Sequence, residues 1–274
     1  MINIAPKSLQ LREYILGIIS KYLKLKGCAT ILCYHSISDD GHLFSVTKKD
    51  FELQIKEILK SKHIVSLENL FNIENDHINN KIVITFDDGY ENIFTSAYPI
   101  LKKYGLQACV FISTFINKKG KSNYFSGKRL MNLEQIKKLV KEGWEIGYHT
   151  NSHIDLRHLD KRTLVNEIVN NKQIFEKDLG SKIIYFAYPY GLYNKETVDT
   201  VEKAGYKLAF TADGCKVNYY NSLFRIGRVL IDKYTKTEDL DALTSCQGLY
   251  FNRLLTSLLR FKDDYFSSLK IIEG

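Results

Sequence analysis

Residues that break or link domains are scarce in this chain: 274 residues include only three prolines, and no Pro-, Gly- or Ser-rich stretch divides them. A single domain spanning 1–274 is therefore expected, and a hydrophobic content of 45% is enough to fill its core. Tryptophan occurs once, so 18 tyrosines and 15 phenylalanines supply the aromatic surface, which suits a packed core and sugar contacts alike. Cys-x-x-Cys spacing is missing. The five cysteines (Cys28, Cys33, Cys109, Cys215, Cys246) are odd in number, and several lie within apolar runs. Such usage fits a reducing compartment. No apolar run approaches the ~18 residues of a spanning helix. The run at 14–19 is too short, and too closely flanked by charge, for a signal sequence. The expected location is cytoplasmic, with peripheral attachment to the inner face of the membrane as an option. Net charge is +8 and the pI about 9.0. No basic cluster is interleaved with aromatics, so nucleic acid is not an expected partner; an anionic surface or glycan is.

What is present is a regular alternation of strand and helix patterns. Strands are expected at 29–35, 64–66, 81–86, 108–113, 145–149, 183–188, 208–211 and 226–231. Helices are expected at 48–61, 93–104, 133–142, 161–179 and 194–204. That order implies right-handed β-α-β units and a parallel sheet, hence an α/β fold of about seven units closed into a distorted barrel over 29–231. Amphipathic helices with basic polar faces are expected at 7–26 and 249–259, within extensions covering 1–28 and 248–274. They would either cap the barrel or lie on an anionic membrane.

Two strand ends carry the chemistry. Ile82-Val83-Ile84-Thr85-Phe86 is a buried-strand pattern that stops at Asp87-Asp88-Gly89. Adjacent carboxylates there need a cation, a proton or hydrogen bonds, unless they form a plain turn with Asp88 as a helix N-cap. Sixty residues on, the strand pattern at 145–149 leads into His149-Thr150-Asn151-Ser152-His153. On a helical turn, histidines four apart would face one ion. Two imidazoles and a carboxylate, with positions left for water and substrate, match a catalytic zinc-type site.

Thr85-Phe86-Asp87-Asp88-Gly89, His149-Thr150-Asn151-Ser152-His153 and Phe186-Ala187-Tyr188-Pro189-Tyr190-Gly191 resemble the three leading motifs of the polysaccharide deacetylases with a NodB-homology domain, carbohydrate esterase family four. The resemblance implies that Asp88, His149 and His153 hold a divalent metal, with Zn2+ foremost and Co2+, Ni2+ or Mn2+ as alternatives. It makes Asp87 the general base and the backbone N–H of Tyr190 the oxyanion donor. The family's usual late histidine is missing, since none follows His158. His35, ending Leu32-Cys33-Tyr34-His35, resembles the acid of the circularly permuted branch that contains the poly-N-acetylglucosamine deacetylases. Ala187 stands where the third motif commonly has an arginine. Arg228, with Arg225 as second choice, is expected to orient Asp87 instead.

The implied activity is metal-dependent hydrolysis of the acetamide of an N-acetylated amino sugar, releasing acetate, within cell-envelope glycan or lipopolysaccharide synthesis. A cytoplasmic location favours a sugar linked to a lipid carrier. The alternatives are a poly-β-1,6-N-acetylglucosamine deacetylase, a deformylase of a carrier-linked aminosugar, or a catalytically silent glycan-binding barrel.

Overall fold

A computed structural model describes residues 29–72, 77–114, 124–212 and 223–245. The two terminal amphipathic helices lie outside the described residues. The sheet is built from β1 (Thr30–Tyr34), β2 (His63–Ile64), β3 (Lys81–Phe86), β4 (Cys109–Ile112), β5 (Glu145–Tyr148), β6 (Tyr185–Ala187), β7 (Leu208–Phe210) and β8 (Val229–Leu230). All its pairings are parallel, in the order β7-β6-β5-β4-β3-β1-β8, with β2 against the start of β3. Ile226 bridges to Phe210, while Val229 and Leu230 pair with Leu32 and Cys33. Segment 226–230 therefore touches both edges of the sheet and rolls it into the distorted barrel that the alternation implied.

Helices fill the crossovers. They are α1 (Lys48–Leu59), α2 (Leu67–Asn72), α3 (Tyr98–Lys103), α4 (Leu133–Lys141), α5 (Lys161–Val165), α6 (Asn171–Leu179), α7 (Lys195–Lys203) and α8 (Leu240–Thr244). Their starts follow from local chemistry. Thr47 caps α1 by accepting the N–H of Asp50, while Asn132 and Asn194 form reciprocal capping boxes with Gln135 and Thr197. None of the described helices is long and apolar enough to cross a membrane.

Strand alternation sorts the core into two layers. Leu32, Tyr34, Ile82, Ile84, Phe86, Val110, Ile112 and Ile146 pack with α1, α3 and α4. Their neighbours Ile31, Val83, Cys109, Phe111, Tyr185, Ala187, Leu208 and Phe210 form the second cluster, inside the barrel. The same inward parity continues through Cys33, Thr85, Asp87, Gly147 and His149, so an apolar interior gives way to polar groups at the strand C-termini.

Several elements differ from the sequence reading. The last strand shortens from 226–231 to two residues, because Ile226 pairs with β7 and only Val229 and Leu230 with β1. The long helix at 161–179 contains a π-helical turn at Asn166–Asn170, and α3 is preceded by another at Ile93–Ala97. An antiparallel pair, Tyr124–Phe125 with Lys128–Arg129, and a parallel pair, Ser36–Ile37 with Ser45–Val46, were not expected. Strands of two residues leave no periodicity to read.

Candidate active site

Asp87 follows β3 in extended register, and its N–H still donates to Tyr34 O at 2.9 Å. Asp88 then turns left-handed (φ +69°), as does Gly89 (φ +82°). Successive strand residues normally face opposite ways. The turn overrides this and brings both carboxylates to one side, where Asp87 Oδ2 and Asp88 Oδ1 lie 3.9 Å and 3.6 Å from His149 Nε2. A Cβ at position 89 would press on the Ile112 side chain, so glycine suits the turn twice over. Asp88 is not a helix N-cap.

The histidines converge by a different route from the helical turn expected for them. His149 leaves the end of β5, and Thr150 (φ +66°) and His153 (φ +50°) are both left-handed. The segment is a strained loop, fastened at several points. Thr114 N–H donates to Thr150 O, Ser113 Oγ to His149 O, and His153 N–H to Thr150 Oγ1. His153 Nε2 arrives 3.3 Å from Asp88 Oδ1. The ring of Phe125 covers His153 at 4.8 Å, and Tyr190 packs edge-on to it at 4.6 Å.

Asp87 is fully engaged. Arg228 donates Nη1–H to Oδ1 at 2.7 Å and Nη2–H to Oδ2 at 2.6 Å, a bidentate pair between buried groups. Cys33 Sγ–H also donates to Oδ2, at 3.3 Å. Arg228 is itself braced: Nη1 donates to Thr85 Oγ1, Nε donates to Thr211 O, and the guanidinium lies 5.1 Å over the Phe111 ring. Burial pushes the Asp87 carboxyl up, but Arg228, followed by His149, outweighs it and holds the group well below the ordinary carboxylate range. Arg225 is exposed and does not reach Asp87 among its described partners. Ala187, in the position of the absent arginine, contributes its carbonyl to His149 Nδ1 at 2.7 Å.

Asp88 is the opposite case. Its Oδ1 is buried without a hydrogen-bond partner, although two imidazole Nε2 atoms face it. Burial pushes its pKa up and pushes both imidazoles down to about 4. The Ala187 carbonyl selects the tautomer of His149 with a proton on Nδ1, which leaves a lone pair on Nε2. Neutral imidazole nitrogens and an unmatched carboxylate oxygen, all within 4.8 Å of one another, fit a divalent cation.

A second cluster, Cys33, His35 and Asp87, has similar spacing. It suits a metal poorly, because both Asp87 oxygens are taken by Arg228 and burial holds the Cys33 thiol well above its ordinary pKa. His35, at the end of β1, stacks on Phe44 at 5.0 Å, and its Nδ1 is buried without a partner. Tyr190 lies in the turn Pro189–Gly191 with φ +58° and is 37% exposed at the rim.

Sequence reasoning did not identify Cys33, Thr85, Phe111, Phe125 or Glu167 as parts of this arrangement. Cys33 and Thr85 were legible in principle, two residues before His35 and Asp87 on strands whose alternate residues face inward. Phe125 had no signal, because its hairpin has none.

The polysaccharide deacetylase family model matches residues 74–209, the span that carries both aspartates, both histidines and the Tyr190 turn. YxkH of Bacillus subtilis strain 168, whose name places it in the same family, is 31% identical over 205 residues, 73% of this chain and 70% of that protein. The poly-β-1,6-N-acetyl-D-glucosamine N-deacetylase of Staphylococcus aureus strain MSSA476 is 30% identical over 213 residues, 72% of this chain and 71% of that one. In three dimensions, the Streptococcus pyogenes deacetylase PplD in complex with acetate matches 81% of this chain and 100% of its own, with a TM-score of 0.70 and 26% identity. Sequence, fold and the residues at the strand ends thus agree, and the chain belongs to the polysaccharide deacetylase family.

Proposed function

We propose that the chain is a metal-dependent N-deacetylase that hydrolyses the acetamide of an N-acetylated amino sugar to the free amine and acetate. The observation that carries this reading is the partnerless Asp88 Oδ1 between the Nε2 atoms of His149 and His153, beside an Asp87 held ionised by Arg228. Asp88, His149 and His153 would hold the cation, with Zn2+ as the expected ion. When bound, it supplies an acidified water and polarises the amide carbonyl.

The chain's own groups supply the rest. Asp87 is ionised and fixed by two hydrogen bonds, and carboxylate oxygens have lone pairs to spare, so it accepts the proton released as water adds to the carbonyl carbon. The oxygen gains charge as the C=O bond opens, and the backbone N–H of Tyr190 donates to it. The C–N bond breaks only if the nitrogen receives a proton. His35, with a ring nitrogen within 4.8 Å of an Asp87 oxygen, gives that proton, while its stacking on Phe44 fixes the ring. Phe125 and Tyr190, packed on His153, form an apolar wall on which a sugar ring can lie.

N-acetylglucosamine is the sugar we propose, because a relative at 30% identity is named for the β-1,6-linked polymer and PplD was solved with acetate, the product of such a reaction. A lipid-carrier-linked N-acetylhexosamine is the second form to test. It draws on the basic helices expected at 7–26 and 249–259, which would place the chain at an anionic membrane surface. The test is acetate release from β-1,6- and β-1,4-linked N-acetylglucosamine oligomers, and from a carrier-linked monosaccharide, with added Zn2+ or Co2+, by wild type and Asp87→Asn. Release by wild type, lowered about 10²–10⁴-fold in the variant, is expected. Equal release by both would remove Asp87 from the chemistry, and none by wild type on any substrate would favour a glycan-binding barrel.

A further inference from the structure

Glu167 lies in the π-helical turn Asn166–Asn170, between α5 and α6, and is only 6% exposed. Its carboxylate reaches the loop between the two histidines. Oε2 accepts the backbone N–H groups of both Asn151 and Ser152, each at 2.9 Å, and Oε1 accepts the Ser152 hydroxyl. These three donors are its hydrogen-bonding partners among the described residues. A buried carboxylate is costly unless donors meet its charge, and charge-assisted bonds to N–H groups are about twice as strong as neutral ones. Here all of that interaction is directed at the two residues midway between His149 and His153.

The loop needs such a hold. Thr150 and His153 both adopt left-handed backbone, which costs a non-glycine residue on the order of 1 kcal/mol or more. The bonds to Ser113, Thr114 and Thr150 fix the two ends of the loop; in its middle the Thr114 hydroxyl donates to the Asn151 side chain, while Glu167 holds the Asn151 and Ser152 backbone amides. π-turns occur often at functional sites, and this one contains the residue that grips the histidine loop.

We infer that Glu167 is a positioning residue of the metal centre: its carboxylate clamps the Asn151 and Ser152 amides and so sets the separation of the His149 and His153 nitrogens. The inference rests on the metal reading given above. Neighbours that orient ligands in this way change metal affinity by roughly 10–100-fold when removed.

The test is Co2+ titration of metal-free protein, followed by the visible ligand-field band, with thermal unfolding of the same metal-free samples. Glu167→Ala should stay folded, bind Co2+ about 10–100-fold more weakly and show an altered band. Glu167→Gln keeps an acceptor oxygen for the two N–H groups and should recover most of the affinity. A folded Glu167→Ala with wild-type affinity and band, even at a lower melting temperature, would overturn the proposal, because a purely structural role predicts that result. Should the alanine variant fail to fold, Glu167→Asp carries the test. It is one methylene too short to span both amides, so weakened binding supports the clamp and wild-type binding overturns it. Wild type that binds no Co2+ would overturn the metal reading itself, and the clamp with it.

Discussion

Asp87 and Asp88 are neighbours in sequence with the same side chain and the same burial, yet they sit in opposite environments. Asp87 is met by donors on both oxygens: a bidentate arginine and a thiol. Asp88 has an oxygen with none, facing two nitrogens held neutral by burial. Both conditions are expensive in isolation and useful together. The saturated side is complete as folded. The depleted side fits the cation proposed above. One left-handed residue, Asp88, divides the two environments.

The largest effect should come from breaking the saturated side. Arg228→Met leaves the buried Asp87 carboxylate unpaired and should cost about 3–5 kcal/mol of unfolding free energy in urea. Adding Asp87→Asn to that variant should restore much of the loss, since the stranded charge is then gone. If the double variant were as unstable as the single one, packing of the arginine against Phe111 and Thr211 would matter more than its charge pairing.

The same chemical change at the two aspartates should have different consequences. Asp87→Asn removes the charge that Arg228 meets and should cost about 2–3 kcal/mol. Asp88→Asn relieves an unmatched carboxylate, so the metal-free protein should lose no stability, while Co2+ binding disappears. Equal destabilisation by the two would show that the environments differ less than the hydrogen bonds indicate.

Much of this contrast was readable before the fold. The strand patterns ending at Asp87 and at His149, and the absence of a histidine after position 158, directed attention to His35 at the end of an early strand, and the structure brings all of these to one end of the barrel. The route taken by the histidines was not readable. Spacing of four suggested a helical turn, whereas the loop owes its shape to left-handed Thr150 and His153 and to a carboxylate fourteen residues beyond His153. Nothing local to His149-Thr150-Asn151-Ser152-His153 encodes Glu167, because that contact depends on where the helical segment 161–179 comes to rest beside the loop. The expectation of Arg228 over Arg225 came from likeness. The geometry gives it a cause: position 228 shares the inward parity of Ile226, while Arg225 is exposed at the surface.

Acid should reveal the depleted side in metal-free protein. Burial lowers His149 and His153 from an ordinary 6.5 to about 4. Between those values the unfolded chain binds more protons than the folded one, so stability rises with pH through this window. It should be complete above pH 6.5 and lost as pH falls toward 4, by on the order of 2 kcal/mol for each imidazole between pH 7 and 5. Asp88, pushed up by burial, has the opposite slope and reduces the total. Urea unfolding of chelator-treated protein at three pH values checks this, and His149→Gln/His153→Gln should flatten the profile.

Gly147→Ala should have the smallest effect, and it separates the two sides most cleanly. Gly147 lies opposite Phe111 in the β4–β5 register, and a Cβ there would collide with the Phe111 ring. That ring carries the Arg228 guanidinium, so the disturbance passes from β5 through Phe111 to Arg228 and then to Asp87 without altering a polar group. If the ring tilts to make room, stability should fall by about 1 kcal/mol, the lower end of overpacking costs. Acetate release should fall several-fold while Co2+ affinity stays at the wild-type value, because Asp88 and the histidine loop have separate supports in Ser113, Thr114 and Glu167. Loss of metal affinity in this variant would mean that the two sides share a scaffold and that His149, two residues along the same strand, transmits the strain between them.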